Sequence, residues 1–287
     1  MKVLVTGATG FIGNFVIEEL LEHKDIEIIA SSANLEKAKK YSWFDKVNYR
    51  AFDFRDYNSL LNYYKFFNEP DLLIHLAWEG LPNYKSSFHT EVNLPRHKAF
   101  IENLILNGLK DVTITGTCLE YGLQTGCLNE TMSANPVIAY AIAKNELQKS
   151  INSFKSVANF SHKWIRLFYM YGKGQNSNSL LVQLENAIVN EEKEFNMSAG
   201  EQIRDYLPIE IVADCITKIA LQSKVTGVIN CCSGKPISIK KLVNDFLVKK
   251  NAKIKLNLGF YPYTDYEPMA FWGDTQKLNE VIEKSKR

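Results

Sequence analysis

The segment Pro136-Val-Ile-Ala-Tyr140-Ala-Ile-Ala-Lys144 sets a tyrosine and a lysine four residues apart near the start of a helical pattern. That spacing places both side chains on one helix face, within reach of a single ligand. A phenol with the ordinary pKa of about 10 is a poor base at neutral pH. An ammonium beside it favours the phenolate, so the pair can pass a proton to or from a bound oxygen. A YxxxK pair alone is a common coincidence. Thr117 gives it weight, because Thr115-Gly116-Thr117-Cys118 closes a strand-like run, and open α/β sheets carry ligands at strand ends. Thr117 can hydrogen-bond the same oxygen, whereas Thr115 stands further into the strand and reads as structural.

A second cluster lies at the start of the chain, where Lys2–Thr6 leads into Gly7-Ala8-Thr9-Gly10-Phe11-Ile12-Gly13. Gly7 permits a tight turn, Gly10 lets the backbone approach a pyrophosphate, and Gly13 allows close packing of helix on strand. A pyrophosphate then meets the free N–H groups and dipole of a helix N-terminus. The spacing is GxxGxxG rather than GxGxxG, and it gains force from its place between a strand and a helix. A dinucleotide bound there brings an oxidised or reduced nicotinamide to the Tyr–Lys pair. Ser31-Ser32 follow Gly13 by eighteen residues, with no acidic residue between them and Glu36. Nothing there repels a 2′-phosphate, the hydroxyls can donate to one, and Lys37 is close in sequence. NADP(H) is therefore favoured, with NAD(H) the alternative. Asp53 can accept from an adenine amino group, or serve as a helix cap or turn carboxylate.

Around these clusters the chain alternates strand and helix patterns. Strands are expected at Lys2–Thr6, Ile26–Ser31, Val47–Phe52, Leu72–Leu76, Val112–Thr115 and Trp164–Phe168. Amphipathic helices are expected at Phe11–His23, Tyr57–Phe67, Glu91–Asn107 and from Pro136 to Val157. Such alternation implies right-handed crossovers and an α/β fold, a Rossmann-type doubly wound parallel sheet. The loop Gly172–Ser179 is rich in Gly, Asn and Ser and suits a ligand mouth. Phe260–Pro268 is rich in Tyr and Pro. These features predict a dinucleotide-binding domain over 1–168, with 203–232 returning to it. A smaller, discontinuous substrate-binding cap is expected from 169–202 and 233–287.

Composition narrows the classes. The 287 residues are 46% apolar and 23% charged, which excludes wholesale disorder. Thirty-four basic against thirty-two acidic residues, scattered along the chain, argue against a nucleic-acid or polybasic membrane protein. No secretory leader or 18-residue apolar run is visible. Five cysteines without a CxxC, and histidines without an HExxH, predict a reduced, cytoplasmic, metal-free protein.

The motifs occur in a familiar order. TGATGFIG (6–13), HLA (75–77), TGTCLEYG (115–122), YAIAK (140–144), RLFYMYGKGQ (166–175), GEQIRDYLPIE (200–210) and CSGKPISI (232–239) span most of the chain. Together they resemble the extended short-chain dehydrogenases/reductases that act on nucleotide sugars as epimerases, dehydratases or reductases. The resemblance assigns catalysis to Thr117, Tyr140 and Lys144. It assigns cofactor contacts to Gly7, Gly10, Phe11, Ile12, Gly13, Ser31, Ser32, Asp53, Phe54, Leu76 and Ala77, besides Tyr140 and Lys144. Substrate contacts fall to Trp78, Thr117, Tyr169, Ser177, Asn178 and Arg204. Arg204 takes the position that grips a sugar-nucleotide diphosphate, a role suited to a guanidinium fork. Where the family usually has Asn, this chain has Tyr169.

The departures from the family select among reactions. Dehydratases carry Asp and Glu after the catalytic Thr, where this chain has Cys118 and Leu119. Epimerase-reductases of the GDP-fucose synthase type carry Cys and His where Leu119 and Leu180 stand. Cys118, one place out of register, reads as a small buried hydrophobe. What remains is hydride transfer with one proton, most like the reductases of NDP-4-keto-6-deoxyhexoses, with a nucleotide-linked 4-keto sugar as substrate. The alternatives are a C4 epimerase with retained NAD and, from another class, a non-catalytic NAD(P)-sensing regulator. Trp78, Tyr84, Tyr261 and Tyr263 can stack on a base or sugar, or pack under loops. By analogy with the family, the helices Glu91–Asn107 and Pro136–Val157 would pair in a homodimer.

Overall fold

The computed structural model of the chain describes residues 1–285. The order begins β1 (Lys2–Thr6), α1 (Phe11–Leu20), β2 (Glu27–Ser32), a one-turn α2 (Leu35–Ala38), β3 (Asn48–Ala51), a one-turn α3 (Tyr63–Phe66), β4 (Leu72–His75), α4 (Leu94–Leu106) and β5 (Asp111–Thr117). Next come β6 (Gly126–Leu128), α5 (Ala139–Ser153), β7 (Ser161–Leu167), β8 (Tyr169–Tyr171), α6 (Leu180–Val189), β9 (Glu194–Asn196) and β10 (Ile203–Pro208). The chain continues through α7 (Ile209–Leu221), β11 (Gly227–Cys231), β12 (Pro236–Ser238), α8 (Ile239–Lys249), β13 (Lys255–Asn257), β14 (Phe271–Gly273) and α9 (Gln276–Ser285).

Seven strands form one parallel sheet in the order β11-β7-β5-β4-β1-β2-β3. The doubly wound α/β expectation is thus borne out, and the order reverses between β1 and β4, which opens a crevice at their C-terminal ends. The inner strands are apolar on both faces: Val3, Leu4, Val5, Leu73, Ile74, Val112 and Ile114 are fully or almost fully buried. One core lies between α1, α7 and the sheet. The other lies under α4 and α5, where Phe52 contacts Tyr63, Phe67 and Phe100. A separate apolar cluster joins α6 and α8 through Leu184, Phe195, Val243 and Leu247. Smaller sheets, β12-β10-β8, β13-β9 and β14-β6, lie outside the main one. No helix among the described residues is long and apolar enough to cross a membrane.

Two helices differ from expectation. Tyr57–Phe67 is helical only over Tyr63–Phe66. The Asn58 side chain accepts from Leu60 N–H, and Asn58 N–H donates to the Tyr63 hydroxyl, so local polar bonds hold a loop there. Tyr57 stacks on Tyr63, 5.3 Å between ring centres, which satisfies the apolar pattern without a helix. The stretch beginning at Glu91 opens with a π-helical turn, His89–Asn93, before α4. Pro95 sits in the first turn of α4, where a missing N–H costs nothing.

Candidate active site

The glycine turn after β1 is built by close approach. Gly7 has φ +74°, and a Cβ there would lie 2.8 Å from Ala77 N; one on Gly13 would lie 2.2 Å from Gly7 O. Any larger residue would push α1 away from β1 and from the chain leaving β4. Gly10 is the N-cap of α1 and offers no side-chain cap, so the first turn remains open to an anion such as a phosphate. Thr6 Oγ1 bonds His75 Nδ1 (2.8 Å), and His75 Nε2 bonds His97 Nδ1 (2.9 Å), tying the ends of β1 and β4 to α4. Burial and the nearby Lys144 hold His75 far down, at about 3, so the pair stays neutral.

At the end of β2, Ser31 is buried and its carbonyl accepts from Ala8 N–H. The Ser32 hydroxyl accepts from Thr9 Oγ1 at 3.0 Å and lies 2.8 Å from the Tyr49 hydroxyl. Arg50 on β3 is in register with Ser31, a neighbour that reading along β2 alone does not show. Asp53 caps the turn Phe54–Asp56, and both its oxygens bond the Arg55 guanidinium, which lowers its pKa. Phe54 packs into the core between His97 and Phe100.

The helix α5 packs on β5 and on the turn Cys118–Tyr121 that follows it. Tyr140 and Lys144 therefore adjoin the strand end bearing Thr117, and all three are buried. Lys144 Nζ donates to Thr115 O at 2.8 Å and lies 4.0 Å from the centre of the Trp78 ring. Burial lowers Lys144 to about 7, against the pull of Glu120. Burial raises Tyr140, with Tyr84 and Glu120 adding to the effect, so its proton is firmly held. The Tyr140 ring is bordered by Tyr84, His89 and Trp78, at 5.4 to 6.2 Å between ring centres. Trp78 Nε1 donates to His89 Nδ1, which fixes the indole over the site. Cys118 packs among Tyr121, Leu128, Phe168, Cys232 and Phe271, and burial pushes its thiol up.

Beneath Thr117 lies an acid absent from the residues expected at the site. Glu120 is fully buried, and its carboxylate accepts from Thr117 N–H (2.9 Å), Trp164 Nε1 (3.0 Å) and Arg166 Nε (2.9 Å). Burial raises its pKa while Arg166 opposes the rise. Gly116 makes room for this: a Cβ there would meet Trp164 Nε1 at 2.2 Å and Glu120 Oε1 at 2.3 Å. The legible signal is the spacing Thr117-x-x-Glu120, a capping box.

Arg204, on β10, is buried and already engaged. Its Nη2 donates to Glu267 at 2.8 Å, its Nη1 to Ile203 O at 2.9 Å, and its plane covers Phe271 at 4.6 Å. The Tyr169 ring lies 5.8 Å from the guanidinium, and its buried hydroxyl has no hydrogen bond of good geometry. Glu267 belongs to a strap, residues 258–269, tied also by Lys85 to Asp265 (2.8 Å) and Tyr263 to Glu201 (3.1 Å). Ser177 and Asn178 are exposed on their loop, where Asn178 N–H donates to Asn176 Oδ1.

A seven-stranded parallel sheet, an open glycine turn at its crevice and a Thr, Tyr and Lys cluster at a neighbouring strand end define an enzyme of the nicotinamide-dependent short-chain type. The model of the NAD dependent epimerase/dehydratase family matches residues 3–232, and the chain belongs to that family. It is 30% identical over 274 residues to the dTDP-6-deoxy-L-talose 4-dehydrogenase (NAD(+)) of Aggregatibacter actinomycetemcomitans, covering 95% of this chain and 99% of that protein. It is 27% identical over 288 residues to the GDP-6-deoxy-D-talose 4-dehydrogenase of the same organism, covering 98% and 91%. The fold matches that of UDP-glucuronic acid 4-epimerase from Bacillus cereus, solved with UDP-glucuronic acid and NAD, at a TM-score of 0.82 and 20% identity, covering 99% and 93%.

Proposed function

We propose that the protein reduces, with NAD(P)H, the C4 ketone of a nucleotide-linked 4-keto-6-deoxysugar, dTDP-linked in preference. One observation carries this reading: the turn after Thr117 continues in a buried Cys118 with a raised thiol and in Leu119, neither of which can move a proton. The cluster then holds one proton donor, Tyr140, beside one hydroxyl, Thr117. That inventory fits one hydride and one proton.

A bound dinucleotide supplies the hydride. The open first turn of α1 suits its pyrophosphate, and Lys144 suits its ribose hydroxyls. Tyr140, kept protonated by burial, gives its proton to the oxygen that becomes alkoxide at C4. Thr117 hydrogen-bonds that oxygen, and Lys144 favours the phenolate left behind. Trp78, Tyr169, Ser177 and Asn178 border the sugar, and Arg204 exchanges the Glu267 carboxylate for diphosphate oxygens. A relative named as a dTDP-6-deoxy-L-talose 4-dehydrogenase would run the same C4 step in reverse, which supports both the position and the nucleotide. For the cofactor, Ser31 and Ser32 without a carboxylate, and Arg50 across from Ser31, support acceptance of NADPH. The NAD(+) in the relative's name supports NADH, so both are expected to serve.

The test is a panel of nucleotide-linked 4-keto-6-deoxysugars with NADPH or NADH, followed by the absorbance of the reduced nicotinamide. The expected result is oxidation of cofactor with at least one sugar, fastest with a dTDP-linked one. If no sugar consumes reduced cofactor while nucleotide hexoses are interconverted with catalytic NAD+, the enzyme is a C4 epimerase instead.

A further inference from the structure

The buried Glu120 network has a direction that its chemistry alone does not require. A hydroxyl such as that of Thr117 can donate one hydrogen bond and accept two. Here its oxygen accepts from Leu119 N–H at 3.3 Å, while its own N–H is taken by Glu120 Oε1 at 2.9 Å. These two contacts form a reciprocal capping box on the short turn Cys118–Tyr121. With a backbone N–H on its oxygen, the hydroxyl has its proton left to offer. Glu120 is itself held from β7, by Trp164 Nε1 at 3.0 Å and Arg166 Nε at 2.9 Å, and Arg166 lies over the Tyr121 ring at 4.3 Å. Strand β7 pairs with β5 through Thr117 itself, opposite Leu167. The turn is thus fixed to the sheet by both main chain and side chain. Gly116 leaves no space for a Cβ between Trp164 and Glu120, so the fit permits little drift.

We propose that Glu120 is a positioning residue: by holding the Thr117 main chain and the turn after it, it keeps the Thr117 hydroxyl placed to donate to the oxygen that receives the proton of Tyr140. This rests on the reading that Thr117 faces the C4 oxygen. A donor that needs no reorientation stabilises developing alkoxide charge more than a ketone, so its effect belongs to the chemical step rather than to binding. Glu120 acts only through Thr117 and touches no substrate.

The test is a double-mutant cycle on the full chain with the best sugar of the panel. Glu120→Gln keeps the shape and one carbonyl oxygen but loses the second acceptor, and it is expected to lower kcat about tenfold with KM within about threefold. Thr117→Val is expected to lower kcat about a hundredfold. In Thr117→Val, adding Glu120→Gln should change kcat by no more than about twofold, because the group Glu120 serves is gone. Multiplying losses would overturn the proposal, as would an equal fall in kcat/KM carried by KM alone. Since Glu120→Gln strands the Arg166 charge, Glu120→Gln with Arg166→Met gives a neutral pair for the same cycle if the single variant does not fold. A readout independent of turnover is amide hydrogen exchange at residues 116–122. Exchange there should quicken about tenfold or more in the neutral double variant, with β1 and β4 unchanged. If the wild type turns over none of the sugars, the functional reading fails. Unchanged exchange would still refute the positioning role in that case.

Discussion

The strand-end cluster and the strap differ in how they hold their residues. Thr117, Tyr140 and Lys144 are buried and fixed by main-chain geometry: a capping box, a helix laid on β5, and a lysine bonded to the Thr115 carbonyl. The strap, 258–269, lacks a strand or helix of its own and exposes Phe260, Tyr261 and Tyr263. Main-chain bonds hold it only toward its ends, from Phe260 and Tyr261 N–H to Met197 O and from Ile203 N–H to Met269 O, and between them it is tied by long side chains, Lys85 to Asp265 at the surface and Arg204 to Glu267 beneath it. Contacts of the first kind preset geometry before ligand arrives, which suits a chemical step. Of the second kind, the exposed Lys85 pair opens at modest cost, whereas the buried Arg204 gives up Glu267 only to a ligand that brings its own negative charge, which suits recognition.

The largest test of this contrast is Tyr140→Phe. It should lower kcat by about a hundred- to ten-thousandfold while leaving NADPH affinity within a few-fold, measured by steady-state kinetics and cofactor titration. Retention of activity within a few-fold of wild type would remove Tyr140 as proton donor and with it the preset half of the comparison. Next comes pH. Lys144, lowered to about 7 by burial, is an ammonium below that value and neutral above it. In the reductive direction kcat/KM for NADPH should therefore fall about tenfold per pH unit above 7, since it reports the free enzyme. The profile of kcat should stay level to higher pH, because bound phosphates favour the ammonium. The smallest effect belongs to the strap. Lys85→Ala removes an exposed ion pair and should raise sugar KM by less than about fivefold, with kcat and melting temperature nearly unchanged. A large drop in kcat would make the strap part of the chemical geometry after all.

The same contrast explains what could be read from the sequence. Gly7, Gly13 and the Tyr140–Lys144 spacing are local, and each answers to a backbone constraint within one turn or one strand end. The parallel sheet follows from apolar runs separated by helices, and six of its seven strands fall within a few residues of those expected; β11 is not among them. The partnership of Arg204 with Glu267 joins positions 63 apart, and no periodicity encodes it. Arg50 meets Ser31 across a strand pair, so a search along β2 alone misses it. Glu120 was legible as the last member of a T-x-x-E box, yet only the fold shows that β7 completes its shell. Tyr57–Phe67 reads as a helix because aromatic residues recur at helical spacing, but Asn58 offers the backbone a local partner instead and Asn62 caps the helix only from Tyr63 onward.

The late strand β11 has a consequence for how the chain is made. It pairs with β7 at one margin of the main sheet, and α7, just before it, packs against α1. Both arrive only after the α6 region and β10 have been synthesised. Until then a nascent chain leaves β7 as an open edge and the flank of α1 that meets α7 uncovered. The helix that opens the cofactor crevice is therefore among the first parts to be written and among the last to be fully packed, and a ribosome paused before Ile209 would leave its flank open to chaperones and proteases.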